Sequence, residues 1–439
     1  MPWLMRGIPV AAESPRTAPG RARGHAALGA WLAIALLGCQ ADQPTRPDLI
    51  LITIDTLSTE RLACFGGEKE AGRSLCALGN EGTLFAWAAA PGRGESSSAS
   101  TALTGLAARA HGVADDGQSF LADAHTTIAE TLSRAGYRTA AFVASARLNR
   151  SRRLDQGFDR YDDRFGRPMH ANTRERTEMA SSVQSWIAST PSPRFIWIHL
   201  GRAAEPVQLD RLLSRLSHTF DDDGRGPGVL FAALRGEDPH GRESPTLRDA
   251  TIQWSTHRVP LIWRPPPTQN ANLPRISLRL ASPIDVAATL RTAARVSGEL
   301  GSDLDEALFE GRDLTHLARS HAGDGEREDR LVLLETSAAG GEVGLASETH
   351  LYVRSHSTLD GSGQPVPTAE LFDRRARFAA LPIYDRLRHP APRSAALAPG
   401  PWREDILDAQ SPVPRLEFHL ARRLDEPGRS DHPNGEDPR

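Results

Sequence analysis

The chain has 439 residues, with 52 Lys plus Arg against 55 Asp plus Glu and a formal net charge of −3. That length accommodates one large α/β domain or two ordinary ones, and the near balance of charge provides no global attraction to nucleic acid or an anionic surface. Lys69 is the only lysine, so nearly all positive charge is arginine; planar guanidinium forks suit anion recognition, although arginine also accumulates in GC-rich genomes.

Arg16, Arg21 and Arg23 precede the apolar stretch AALGAWLAIALLG at 26–38. This stretch is too short to span a bilayer but fits the apolar region of an export signal. It ends LLGC, so Cys39 stands where a bacterial lipoprotein signal places its acylated cysteine, and several acyl chains together would anchor the chain stably. The remaining cysteines, Cys64 and Cys76, could pair in an oxidising periplasm but make no disulfide framework.

QADQPTRP (40–47) reads as a tether, and DLILITIDTL (48–57) as a strand buried on both faces and ending on an acid. TTIAETLSRAGYRTAAFVAS (126–145) gives helix, glycine stop and strand. RTEMASSVQSWIAS (176–189) has helical spacing, and RFIWIHL (194–200), GVLFAAL (228–234) and RVPLIW (258–263) read as further buried strands. SPIDVAATLRTAARV (282–296) is an amphipathic helix, while DRLVLLET (329–336) and THLYVR (349–354) suggest strands of a smaller, irregular C-terminal subdomain. Beyond about 420 the chain is charged and proline-bearing, which predicts disorder. The expected organisation is an export signal (1–39), the tether (40–47), an α/β domain (48–320), the subdomain (321–419) and a disordered tail (420–439). The fold class is α/β, a largely parallel central sheet with helices on both faces. In such sheets chemistry gathers at the carboxyl ends of strands, where Asp55 is the first acid, a helix cap or a metal ligand.

Together, LITIDTLSTERLACFGG, LCALGNEGTLFAWAAAP (read as a strand–loop and the helix after it), STALTGLAARAHGV, RLDQGFDRYDDRF, FIWIHL, RVPLIW, SPIDVAATL and FEGRDLTHL resemble, in order, the sulfatase family of the alkaline-phosphatase-like superfamily. The resemblance covers about 47–320, with an echo at AELFD (369–373). It implies hydrolysis of sulfate or related esters by a formylglycine, serine or threonine nucleophile, assisted by a divalent cation, commonly calcium. The family nucleophile lies ten residues before the glycine of TG; counting back from Gly105 reaches Glu95. The following proline, serine and Arg/His slots hold Ser97, Ser98 and Ala99. A shifted register would make Ser96 or Ser98 the nucleophile, still without the adjacent cation. Where the family shows D-P-H after FIWIH, this chain has Arg202, Ala203 and Ala204, with His199 retained at the strand end. The family's Asp and His metal ligands align with Leu234 and Arg235, and Arg248 stands near the place of a family lysine. GEDPHG (236–241) reads as a loop turn.

The resemblance thus yields three readings. In the first, the chain is a sulfatase-fold envelope lipoprotein without catalysis that binds or scaffolds a partner, with Asp55 a vestigial metal ligand paired with Arg235 and no stoichiometric metal. In the second, Ser96 or Ser98 acts as nucleophile in a rearranged hydrolase, with Asp55, Arg202, Arg235, Arg248 and calcium or another divalent cation. In the third, those arginines bind an anionic glycan without metal. In each, Cys39 places the chain at the bacterial envelope, on the periplasmic side or the outer membrane, and no nucleic acid is involved.

Overall fold

The structure is a computed structural model that describes residues 46–67, 71–92, 94–114, 117–164, 176–201, 206–220, 226–237, 252, 254–270, 272–296, 311–320, 330–335, 343–348, 350–359 and 365–373. The expected lipidation site Cys39 and the tail beyond 420 lie outside these residues, as does most of the tether.

The apolar run at the start of the domain forms β1 (Leu49–Thr56), flanked in space by β5 (Arg194–His199) and β6 (Gly228–Arg235), both parallel to it. Strands this continuously apolar need cover on both faces, which is why they occupy the middle of the sheet. With β2 (Thr83–Ala88), β3 (Arg138–Val143), β4 (Arg160–Asp162), β7 (Leu261–Arg264) and β8 (Ile276–Ala281) they build an eight-stranded sheet in the order β4-β3-β5-β1-β6-β7-β2-β8.

The sheet is largely parallel, as expected; the exception is β7, read from RVPLIW, which runs antiparallel to both β6 and β2. A reversed β7 begins at the end of the sheet where β6 finishes. Consequently Gly236 and Thr256, hydrogen-bonded backbone to backbone at 3.0 Å, both sit at the carboxyl edge of β6. A correction concerns LCALGNEGTLFAWAAAP, expected as helical. Only its start belongs to a helix, α1 (Arg73–Glu81), and the β-branched and aromatic part is β2. Asp210 on a later helix caps α1 by accepting from the Arg73 and Ser74 amides at 3.0 and 2.8 Å. Cys64 and Cys76 are joined by a disulfide that ties the turn after β1 to α1.

Helix α2 (Glu95–Thr104) is buried along its whole length. Its Ser, Ala and Thr side chains allow close approach to β6, and two of the buried hydroxyls are satisfied within the helix: Ser100 Oγ donates to the Ser96 carbonyl at 2.9 Å and Thr104 Oγ1 to the Ser100 carbonyl at 2.7 Å. Gly105, at φ 71°, ends the helix in the left-handed conformation a side chain would disfavour. The short helix α3 (Ala108–His111) follows and lays His111 back against Thr101.

The C-terminal strands, β9 (Val332–Glu335), β10 (Val343–Ala346), β11 (His350–Leu359) and β12 (Pro365–Asp373), form a separate antiparallel sheet. Its apolar face buries Val332, Leu334, Leu351 and Val353 with Ala89 and Leu280 of the main sheet. Three ion pairs fasten it: Arg109–Glu335, Arg279–Glu348 and the fully buried Arg330–Asp285. The Glu335 amide also donates to the Pro91 carbonyl at 2.8 Å, so this small sheet braces the loop that leads into α2.

Candidate functional site

Three strand ends and one helix start converge at the carboxyl edge of the sheet. β1 contributes Asp55, β5 contributes His199 and β6 contributes Arg235, while α2 begins there with Glu95. Register fixes the neighbours: Thr53 lies beside His199, and Thr56 beside Arg235.

Glu95 is the first residue of α2, after Gly94, where exposed amides favour a negative side chain. Its Oε1 lies 3.0 Å from Nε2 of His199, a histidine with no solvent exposure. His199 Nδ1 lies 2.8 Å from Thr53 Oγ1, which also accepts the Trp197 indole N–H at 2.9 Å. The contacts form one buried chain in which the Trp197 N–H donates to Thr53, Thr53 meets His199 Nδ1, and His199 Nε2–H donates to Glu95. The Ser145 hydroxyl is a further partner of the Glu95 carboxylate. Burial pushes the Glu95 pKa up, but the hydrogen bond and charge of His199, the Ser145 hydroxyl and the charge of Arg235 outweigh it and hold the carboxyl below its usual range.

Among the described residues Asp55 has one cationic partner, Arg235. Arg235 Nε donates to Oδ1 at 2.8 Å and Nη2 to Oδ2 at 2.6 Å, a two-pronged pair that uses both carboxylate oxygens. Two residues further along, Glu237 receives Arg61 Nη1 at 3.0 Å, closing the disulfide-bearing turn over the end of β6.

The serines of the α2 start are buried. Ser96 Oγ donates to the Arg147 carbonyl at 3.0 Å, and Ser98 Oγ lies in the interior with no hydrogen-bond partner. Of the arginines expected to face the strand ends, Arg235 is at the site, whereas Arg202 and Arg248 lie outside the described residues. Sequence reasoning passed over Arg147. It follows the end of β3, its side chain is 70% exposed, and its Nε lies 3.9 Å from Glu95 Oε2. Thr53, Trp197 and Ser145 were likewise missed, and the available signal was their position at or near the carboxyl ends of predicted strands.

The sulfatase family model matches residues 47–226. Among solved structures, a phosphonate monoester hydrolase from Agrobacterium radiobacter superposes with a TM-score of 0.58 at 14% identity, covering 86% of this chain and 95% of its own. A protein solved with its substrate D-glucosamine-2-N,6-O-disulfate gives 0.60 at 14% identity, covering 76% and 92%. A 2-O glycosaminoglycan sulfatase gives 0.59 at 11% identity, covering 87% and 91%. No curated protein matches.

Sulfatase homologues use a divalent metal, and hard cations such as calcium want six or more oxygen ligands, several of them carboxylates. The donor set here does not fit that requirement. Both oxygens of Asp55 are taken by Arg235, and Oε1 of Glu95 faces His199. Among the described residues no three His, Cys, Asp or Glu side chains converge on one point. The chain is thus similar to the sulfatase family over residues 47–226 and shares the α/β fold of the solved sulfatases.

Proposed function

We propose that this chain is a sulfatase-fold lipoprotein of the bacterial cell envelope that binds or scaffolds rather than hydrolyses. The observation that carries the reading is the engagement of Glu95. By the sequence resemblance it aligns with the family nucleophile, and its carboxylate is held by His199 in the interior, with the Ser145 hydroxyl lowering its pKa further. A carboxylate so held is a poor attacking group toward an anionic ester, because it is already stabilised as an anion and repels the substrate charge. The retained His199 is oriented toward Glu95 and Thr53, leaving neither ring nitrogen for a leaving group.

The envelope placement rests on Cys39 at the end of LLGC, and the Cys64–Cys76 disulfide suits an oxidising compartment. Arg147, exposed at the mouth of the site, is the described residue best placed to meet an anionic glycan or an acidic surface of a protein partner.

Ser98 favours a second reading, a rearranged sulfuric- or phosphoric-ester hydrolase, since its hydroxyl has no hydrogen-bond partner. Against it stand the burial of that hydroxyl and the absence, among the described residues, of a base bonded to it. Incubating the full chain with 4-nitrophenyl sulfate, phosphate and phenylphosphonate, with and without calcium, separates the two. The non-catalytic reading expects no turnover above a heat-treated control. Turnover abolished by Ser98→Ala would establish the hydrolase instead.

A further inference from the structure

Two buried carboxylates meet the carboxyl edge of the sheet from different elements, Asp55 from β1 and Glu95 from α2. Burying anions in this way demands a compensating cation, since an unpaired buried charge costs several kcal/mol. For Asp55, Arg235 is that cation. It projects from the end of β6, grips Asp55 with both prongs, and its charge also reaches Glu95. The guanidinium keeps its proton at every physiological pH, and its planar fork matches the two carboxylate oxygens of Asp55.

We propose that Arg235 is the resident counter-ion of Asp55, a covalently tethered monovalent cation that stands at this edge in place of a bound divalent ion, while Glu95 is held by His199 and Arg147. The native chain therefore folds and remains folded without such an ion. This deepens the non-catalytic reading and rests on it, since a tethered guanidinium balances charge but offers no coordination position to an ester oxygen. It also assigns Arg235 away from ligand recognition, leaving Arg147 as the cation at the site mouth.

The test is thermal unfolding of the full chain and of Arg235→Ala, each in EDTA, in millimolar calcium, in millimolar methylguanidinium and in sodium chloride of matched ionic strength. The wild-type midpoint is expected to be the same in calcium and in EDTA. Arg235→Ala is expected to melt roughly 10 °C lower, because Asp55 is left buried and unpaired. Methylguanidinium is expected to raise that variant's midpoint more than matched sodium chloride does. The proposal is overturned if calcium raises the wild-type midpoint above its value in EDTA, if Arg235→Ala is as stable as wild type, or if methylguanidinium does no more than salt. If Arg235→Ala does not fold, the double variant Asp55→Leu/Arg235→Leu decides: it is expected to fold and to be more stable than Asp55→Leu alone, and failure on either point overturns the assignment. The two proposals fail separately. Turnover by a chain indifferent to calcium removes the non-catalytic reading alone, and a calcium-dependent midpoint without turnover removes the counter-ion alone.

Discussion

Glu95 and His199 face each other across the carboxyl edge of the sheet, with Oε1 and Nε2 3.0 Å apart, although 104 residues separate them in sequence. The pair closes a chain of hydrogen bonds that begins at the Trp197 indole and passes through Thr53.

That closure makes Glu95 a stabilising residue. Glu95→Ala leaves the His199 Nε2–H without an acceptor in the interior, and should cost about 1–3 kcal/mol in urea unfolding. Glu95→Gln keeps an acceptor oxygen and should cost less. Working residues behave oppositely, since removing a strained or like-charged catalytic group often stabilises the fold. A Glu95→Ala variant more stable than wild type would therefore argue that Glu95 is catalytic.

His111 makes stability sensitive to acid. The Val113 amide donates to its Nδ1 at 3.1 Å, and Nε2 lies 3.0 Å from Thr101 Oγ1, so the ring is held neutral. Burial lowers its pKa from the usual 6.5 to about 3. The unfolded chain then binds a proton that the folded chain refuses, so stability falls as pH drops below 6.5 and continues to fall toward about 3. Between about pH 7 and about pH 5 the loss should be roughly 2 kcal/mol. Comparing the pH dependence of urea unfolding for wild type and His111→Leu checks this, with a flatter slope expected for the variant. The depressed Glu95 carboxyl adds a second loss at lower pH, beginning as pH falls below the ordinary carboxylate value of 4.5.

The Arg330–Asp285 pair should be the strongest single fastening of the C-terminal sheet. Asp285 also accepts the Ser282 and Arg312 amides at 2.8 and 2.9 Å, so it lies at a junction of three segments. Arg330→Ala leaves that carboxylate buried with two amides and no cation, a loss of about 3–5 kcal/mol. Limited proteolysis should then cut within the C-terminal sheet before the main sheet. Equal protection of both sheets would contradict the assignment.

Reduction of Cys64–Cys76 should lower stability by about 3 kcal/mol, the loop-closure value for cysteines separated by 12 positions. The check is urea unfolding with and without dithiothreitol, with Cys64→Ser/Cys76→Ser as the control that ignores the reductant. A wild type indifferent to dithiothreitol would show that the bridge contributes nothing.

The core strands were legible because strands buried on both faces leave continuous apolar runs, as in LILITID, RFIWIH and GVLFAAL. The direction of β7 was not legible, since a four-residue strand carries no mark of its orientation and the segment before it sets where it enters. β2 was hidden by its immediate succession to α1, with Gly82 alone between them. At the site, Asp55, Glu95, His199 and Arg235 stood out because each lies at a strand or helix end in a recognisable order. Thr53, Ser145 and Arg147 did not, because their roles depend on register between β1 and β5 and on the turn after β3.

The most direct test of the account is the metal content of the full chain after loading with calcium and exhaustive desalting, read by elemental analysis. If Arg235 holds Asp55 and Glu95 is held by His199, calcium and other divalent ions should remain far below one per chain, and Asp55→Ala should not change that. A content of about one divalent ion per chain, lost on Asp55→Ala, would show a functioning metal centre and contradict the account.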